Sequence, residues 1–185
     1  TGAGRRRSIG YSTSMALADM GCNVVVTGTG RDPSTFPADE REMGWQDIEG
    51  TANHVREKGR RALPIIADVT SVADTEMMMD QTLAEFGRVD ILINNAATAI
   101  GKDRVPIVDL DPDVFQKVLN VKVRGTYLCS KIVVKQFIQQ GQGGKIVTVA
   151  SAAGKRGSAN ALAYNAANFA QVGMTQSLAQ ELGPY

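Results

Sequence analysis

Short apolar runs and longer stretches of helical periodicity alternate along this chain. Four apolar runs, each bounded by turn residues, predict buried strands over residues 22–27, 61–67, 89–93 and 145–150. Apolar positions that recur every three or four residues predict helices over residues 11–20, 46–58, 74–86, 126–140 and 165–182, with one more passing through Asn120. Strands that alternate with helices of roughly ten to fifteen residues are typical of a doubly wound parallel α/β sheet.

Two segments interrupt this alternation. Residues 32–45 are polar, carry two prolines and lack periodicity, so we expect an enlarged surface loop there. Residues 98–112 are a second polar loop, expected on the side of the molecule where a substrate binds.

The composition narrows the class of protein. The chain has 185 residues, 43% of them hydrophobic, and a net charge of +1, which fits one domain and predicts no nucleic-acid partner. No apolar run approaches the ~18 residues of a membrane span. Cys22 and Cys129 have no CxxC or His-rich neighbourhood, so we expect core thiols, no metal site and a reducing cytoplasm.

The candidate chemistry lies in residues 143–168. Ser151 follows the last predicted strand, and Tyr164 comes thirteen residues later at the start of a helix. Ligands of an open parallel sheet bind beyond the carboxyl ends of its strands, so both hydroxyls are expected to face one crevice. A serine can bind a carbonyl or alcohol oxygen while a phenol gives or takes its proton. A phenol has an ordinary pKa of roughly 10 and normally needs a nearby cation, but the position one turn after Tyr164 holds Asn168.

The Ser-x12-Tyr pattern after a strand resembles the short-chain dehydrogenases/reductases, and the resemblance extends over essentially the whole chain. It implies a Rossmann-like NAD(P)-binding domain over residues 1–185 and hydride transfer between a nicotinamide cofactor and a small carbonyl or alcohol. By this resemblance Tyr164 is the acid/base and Ser151 orients the substrate oxygen. Asn120 matches the asparagine that holds a water of the proton relay; a polar contact in the core is the alternative. Relatives carry a lysine at the position of Asn168, and that lysine binds the nicotinamide ribose and supplies the cation.

The resemblance also implies where the cofactor binds. The opening Thr1–Gly10 stretch is a glycine-rich turn that leads into a helix, an arrangement that binds pyrophosphate; it is two residues longer than the usual form. Where NAD-specific relatives carry an acid, this chain has Gly28, and Arg31 follows, so NADP is favoured over NAD. The cofactor-binding residues implied in this way are Gly2, Arg5, Ser8 and Ile9 for pyrophosphate, Arg31 for a 2′-phosphate, Asp68 and Val69 for adenine, and Asn94 and Ala96 beside the nicotinamide ribose.

Asp68 has an alternative role as the cap of the helix that follows it. The Asn94-Asn95-Ala96-Ala97 turn resembles the family's Asn-Asn-Ala-Gly turn, in which the asparagines stabilise the sheet.

The ends of the chain differ from the family pattern. The sequence opens on the turn without a strand before it and closes at Gly183-Pro184-Tyr185, where a helix ends. We therefore expect a fragment that is incomplete at both ends and leaves sheet edges unpaired. The helices over 126–140 and 165–182 correspond to the family's usual oligomer surface, so a homodimer or homotetramer is expected for the full-length protein.

Three functions fit the sequence. The first is an NADP-dependent oxidoreductase. The second is a cofactor-binding pseudoenzyme or scaffold, weak in catalysis because Asn168 replaces the lysine. The third is enoyl-reductase-like chemistry, suggested by the spacing of Gly2, Ser8 and Ile9, but those relatives place a lysine seven residues after the tyrosine, where this chain has Gln171.

Overall fold

The computed structural model describes residues 1–183 and shows helices alternating with parallel strands. The four strands are β1 Val24–Gly28, β2 Ala62–Ile66, β3 Ile91–Asn94 and β4 Lys145–Thr148. The seven α-helices within this range are α1 Ile9–Asp19, α2 Ala38–Glu42, α3 Asp47–Glu57, α4 Val72–Phe86, α5 Pro112–Leu119, α6 Gly125–Gln140 and α7 Leu162–Leu182. All four predicted strands and all the predicted helices are found, with ends shifted by a few residues.

The strands pair in parallel, as the alternation predicts. β1 pairs with β2, with Val24 opposite Ala62, and β3 pairs with β4, with Ile91 opposite Lys145. The ladder hydrogen bonds join these strands as two two-stranded sheets. One sheet belongs to a compact unit over Thr1–Gly87 and the other to a unit over Arg88–Tyr185.

The core of the first unit lies where α1 and α3 pack on β1. Val26, Ala52 and Val55 are completely buried there. Ser8 begins α1 as its N-cap, with its Oγ accepting a hydrogen bond from the Tyr11 N–H at 3.1 Å. The carboxyl end of β1 and the start of α1 are therefore fixed by packing and by a cap.

The prediction that residues 32–45 form a surface loop holds for their exposure, since most of them are exposed, but not for their structure, since the segment is partly helical. The segment contains a short 3-10 helix, Pro33–Thr35, and α2, and it buries Phe36, Glu40 and Trp45 to 3%, 3% and 9% exposure. The Trp45 indole N–H donates to the Gly4 carbonyl at 2.6 Å. Two aromatic side chains nine residues apart produce no periodic pattern, which is why the sequence did not reveal this packing.

In the second unit, α5 leads through a π-helical segment, Asn120–Arg124, directly into α6. The Asp111 carboxylate caps α5 by accepting from the Asp113 and Val114 N–H groups. Val118, Ala163 and Ala167 form the buried contact between α5 and α7. π-Helical segments are uncommon and often mark functional sites.

Helix α7 begins at Leu162, three residues before the predicted start, so Tyr164 lies in its first turn. The predicted turn at the end of this helix includes Pro184 and Tyr185, which lie outside the described residues.

Candidate functional site

The glycine-rich turn of the first unit is held by its backbone on several sides. Gly2 has a φ of 65°, in the left-handed region that favours glycine. The Ala3 N–H donates to the Thr27 carbonyl at 3.0 Å, and the Ala3 carbonyl accepts from the Thr51 hydroxyl at 2.7 Å. At Gly4, a Cβ would collide with the Asp47 carboxylate. The turn therefore has a fixed shape that requires glycine at position 4.

The three arginines of the turn have different surroundings. The Arg6 guanidinium lies 4.2 Å from the centre of the Tyr11 ring, and its backbone N–H donates to Glu40 at 2.7 Å. Arg7 lies 3.4 Å from the Asp39 carboxylate. Of the three, Arg5 is the exposed arginine without an ion pair among the described residues, and its role at a pyrophosphate stays a prediction.

The Arg31 guanidinium is engaged through its Nε and Nη2, whereas its buried Nη1 has no hydrogen-bond partner among residues 1–183. Arg31 forms ion pairs with Glu40 at 3.2 Å and with Asp47 at 2.8 Å, and its backbone N–H also donates to Asp47. A further bond reaches the Gly4 carbonyl at 3.2 Å, and Phe36 lies 4.4 Å from the guanidinium carbon. Sequence reasoning missed both carboxylates, because Glu40 lies in the segment taken as a surface loop and Asp47 lies at the start of a helix predicted over residues 46–58.

Asp68 lies in a turn of its own after β2. Its Oδ1 accepts from the backbone N–H and the hydroxyl of Thr70, both at 2.8 Å. The cap of α4 is Ser71, whose Oγ accepts from the Asp74 N–H, so the alternative role of Asp68 as that cap is wrong. Asp68 remains exposed next to the buried Val69.

Asn94 ends β3 and links it to α6. Its amide donates to the Ser130 hydroxyl at 3.1 Å in a buried contact. This agrees with the sheet-stabilising role that the resemblance implies for the asparagine turn. Ala96 follows two residues later and is partly exposed.

Ser151 begins a short 3-10 helix, Ala152–Gly154, and its Oγ accepts from the Ala153 N–H at 3.2 Å. Gly154 lies against α7, where a Cβ would stand 2.8 Å from the Asn168 carbonyl oxygen. The Ser151 segment is therefore seated on α7 one turn after Tyr164.

The Asn168 side chain is completely buried. Its amide donates to the Tyr164 carbonyl at 2.7 Å, whereas its Oδ1 has no hydrogen-bond partner among residues 1–183. A buried acceptor without a partner lowers the stability of the fold.

Two cations lie against the Tyr164 ring, and sequence reasoning missed both. The guanidinium carbon of Arg104 is 3.9 Å from the ring centre, and the Lys122 Nζ is 5.7 Å from it. Asp103 pairs with Arg104 at 3.4 Å. The position of Lys122 four residues after the buried Val118 was a usable signal, because such residues share a helix face.

Lys122 is 4% exposed, and burial lowers the pKa of its ammonium below the ordinary value of 10.5. Asn120, for which the resemblance implies a role in the proton relay, accepts a hydrogen bond from Gln116 at 2.9 Å. From the same π-helical segment, Lys122 brings its ammonium to the Tyr164 ring. The Asn168 amide bonds the Tyr164 carbonyl, and Gly154 of the Ser151 segment packs against the Asn168 backbone.

Residues 1–183 contain no group of three or more potential metal-ligating side chains. Over the same range, each helix is too short or too polar to cross a bilayer.

Known proteins resemble this chain over nearly its whole length. The family model described as short chain dehydrogenase matches residues 1–185. A short chain dehydrogenase/reductase of Aspergillus oryzae is 37% identical over 183 residues, which are 99% of this chain and 64% of that protein. A cis-4-hydroxycyclohexanecarboxylate dehydrogenase of Sinomonas cyclohexanicum is 32% identical over 95% of this chain and 64% of its own length.

Solved structures agree. The crystal structure of NAD⁺-bound xylitol dehydrogenase superposes with a TM-score of 0.82 at 32% identity, covering 96% of this chain and 62% of that one. Acetoin dehydrogenase from Enterobacter cloacae gives a TM-score of 0.77 at 33% identity, covering 95% and 64%. This chain thus spans less than two thirds of the length of these four proteins, and the Rossmann-like α/β fold is confirmed. The chain belongs to the short-chain dehydrogenase/reductase family.

Proposed function

We propose that this protein is an NAD(P)-dependent oxidoreductase that interconverts a small carbonyl compound and the corresponding alcohol. The observation that carries the proposal is the arrangement around Tyr164. Its phenol lies in the first turn of α7, the Ser151 segment is seated one turn further along that helix, and two cations lie against its ring.

Each hydroxyl has a distinct task. The Ser151 hydroxyl donates a hydrogen bond to the substrate oxygen and so polarises the carbonyl. Tyr164 donates its proton to that oxygen during reduction and accepts it back during oxidation. A positive charge near the phenol favours the phenolate that remains after proton donation. The bound nicotinamide would supply or accept the hydride.

The residues present fit a dinucleotide. The turn at Gly2 and the exposed Arg5 suit a pyrophosphate at the start of α1, with Ser8 and Ile9.

The remaining contacts of the cofactor carry over from the resemblance. Asp68 and Val69 would bind the adenine, and Asn94 and Ala96 would border the nicotinamide ribose. Asp68 is exposed at the carboxyl end of β2, the side where ligands of such sheets bind.

The choice between NAD and NADP is the finer part of the proposal. Gly28 provides no carboxylate to repel a 2′-phosphate, which favours NADP(H). The contacts of Arg31 oppose this preference, because its single positive charge already faces the carboxylates of Glu40 and Asp47. We propose that Arg31 is a structural clamp and that NAD(H) binds at least as tightly as NADP(H).

A second copy of the chain is the proposed partner. Tyr127, Ile138 and Phe169 on α6 and α7 are each nearly half exposed, and the resemblance implies that these two helices form an oligomer surface. Light scattering of the protein expressed from the full reading frame tests this, with Phe169→Asp expected to shift a dimer or tetramer toward monomer. A monomeric starting protein would contradict the proposal.

The activity is tested on the same protein with a panel of ketones and alcohols and both cofactors. Absorbance at 340 nm should report turnover that Tyr164→Phe abolishes without loss of cofactor binding. Cofactor binding without turnover of any panel member would instead support the pseudoenzyme function.

A further inference from the structure

Lys122 is an unusual lysine. Its side chain is almost completely buried, and among residues 1–183 no carboxylate forms an ion pair with it. Burying an ammonium without a counter-ion is costly, so its retention calls for a compensating interaction. The described contact of the ammonium is the face of the Tyr164 ring at 5.7 Å.

The backbone around Lys122 is built to hold it there. It lies in the middle of the π-helical segment Asn120–Arg124, where the wider turn leaves backbone carbonyls without their usual partners. The Gln171 amide, itself 1% exposed, donates to the Lys122 carbonyl and to the Thr126 hydroxyl, both at 3.1 Å. Gln171 is on α7, two turns after Tyr164, so one helix positions both the phenol and the segment that carries the ammonium.

The surroundings of Tyr164 leave Lys122 as the uncompensated charge. Arg104 is closer to the ring, but Asp103 pairs with it. The loop before α7 contributes Lys155 and Arg156, both exposed. The α7 position that would carry a lysine in relatives holds the neutral, buried Asn168.

We propose that Lys122 supplies to Tyr164 the positive charge that relatives obtain from the lysine one turn after the tyrosine. Lys122 is a positioning residue that acts through the phenol. The inference rests on the proposed function, in which Tyr164 is the acid/base. It differs from the family arrangement because the charge comes from the segment between α5 and α6 and not from α7.

The first test measures the phenol without any turnover. Phenolate absorbance at 295 nm is followed against pH in the protein from the full reading frame, and the Tyr164 contribution is isolated by subtracting the Tyr164→Phe titration. Lys122→Met should move that contribution to higher pH, since removing a nearby cation disfavours the phenolate. Lys117→Met, at an exposed lysine of α5, is the matched control and should leave the curve in place.

The second test uses rescue. Lys122→Met should lower turnover at least tenfold with little change in cofactor affinity, and Lys122→Met/Asn168→Lys should recover most of the loss by restoring a cation at the family position. Circular dichroism and thermal melts establish that each variant is folded. If Lys122→Met unfolds the protein, Lys122→Gln and Lys122→Arg replace it, with the arginine variant expected to leave the phenolate curve where it lies in the unsubstituted protein.

The outcomes separate the two proposals. An unchanged phenolate curve in Lys122→Met overturns the role of Lys122 whether or not the protein is active. A shifted curve in a protein that turns over no substrate supports the role of Lys122 and rejects the proposed function. A shifted curve with a matching loss and rescue of turnover supports both.

Discussion

Replacing Arg31 by alanine tests whether this residue is a structural clamp or a phosphate ligand. The substitution leaves the Glu40 and Asp47 carboxylates, at 3% and 7% residue exposure, without their shared counter-ion. Removing one partner of a buried ion pair typically costs about 3–5 kcal/mol. The Arg31 side chain is 22% exposed, so we expect the lower end, about 3 kcal/mol. For the longer protein expressed from the full reading frame, that corresponds to a fall in Tm of roughly 6 °C, at about 2 °C per kcal/mol.

The matched variants separate charge from geometry. Arg31→Lys keeps the charge but cannot bridge two carboxylates as a fork, so an intermediate fall in Tm is expected. The triple variant Arg31→Met/Glu40→Gln/Asp47→Asn removes all three charges and should recover most of the lost stability, because neutral replacements of a buried ion pair are often tolerated.

Cofactor titrations test whether Arg31 contributes to the choice between NADH and NADPH. If Arg31 is a clamp, Arg31→Ala should weaken NADH and NADPH binding by a similar factor, because the Gly4 turn that Glu40 and Asp47 contact loosens. Intrinsic fluorescence or calorimetry of the protein from the full reading frame measures both affinities. A selective loss of NADPH binding, with Tm unchanged, would refute the clamp and restore Arg31 as the 2′-phosphate ligand.

Three further predictions test other parts of the structure. Gly154→Ala should lower the free energy of unfolding by about 1–3 kcal/mol and reduce turnover, because the new Cβ would stand 2.8 Å from the Asn168 carbonyl. Gly173→Ala is the control: its Cβ would meet open space, so thermal melts and turnover assays should find it neutral or stabilising. Thiol titration of the native protein at pH 8 should detect the half-buried Cys22 rapidly and Cys129 only after unfolding, since burial excludes reagent and raises the pKa of Cys129 to about 11; rapid reaction of both thiols would contradict the packing around α6. Residues 1–185 expressed alone should melt without a cooperative transition, because their described strands pair only two by two; a sharp calorimetric transition of a monomer would contradict this.

The sequence predicts most of the framework for a physical reason. Buried strands and amphipathic helices carry their periodicity locally, so β1 to β4 and the longer helices can be recognised from one stretch of chain at a time. Ser151 and Tyr164 follow from the same local signals, since one ends a strand region and the other begins a helix.

What the sequence could not predict depends on contacts between distant residues. Glu40 looks like any acid in a polar segment until Phe36 and Trp45 are buried and carry it onto the turn at Gly4. The apolar residues of this segment follow neither the helical nor the strand period, so the sequence gives no sign that they are buried. Their packing depends on Gly4, more than thirty residues away in the chain.

Lys122 was overlooked for a different reason. The family pattern directed attention to the position one turn after Tyr164 on the same helix, so the absence of a lysine there suggested that the charge itself was absent. The structure shows that a neighbouring segment brings an ammonium to the same ring. The absence of a motif residue shows only that one position lacks it. The chemistry depends on which charges lie near the reacting group, whichever segment supplies them.

The single variant Asn168→Lys tests whether Tyr164 already has a nearby positive charge. If the charge were absent, adding it should raise turnover at least tenfold. With Lys122 in place, the same change puts a second ammonium near the phenol and into a position that is completely buried, where like charges repel and desolvation is costly. We therefore expect Asn168→Lys alone to lower Tm and to leave turnover flat or reduced, although it rescues turnover in the Lys122→Met background. Melts and steady-state rates of the four members of this cycle measure the coupling between the two positions. A tenfold gain from Asn168→Lys with Lys122 intact would show that Lys122 does not supply the charge that Tyr164 requires.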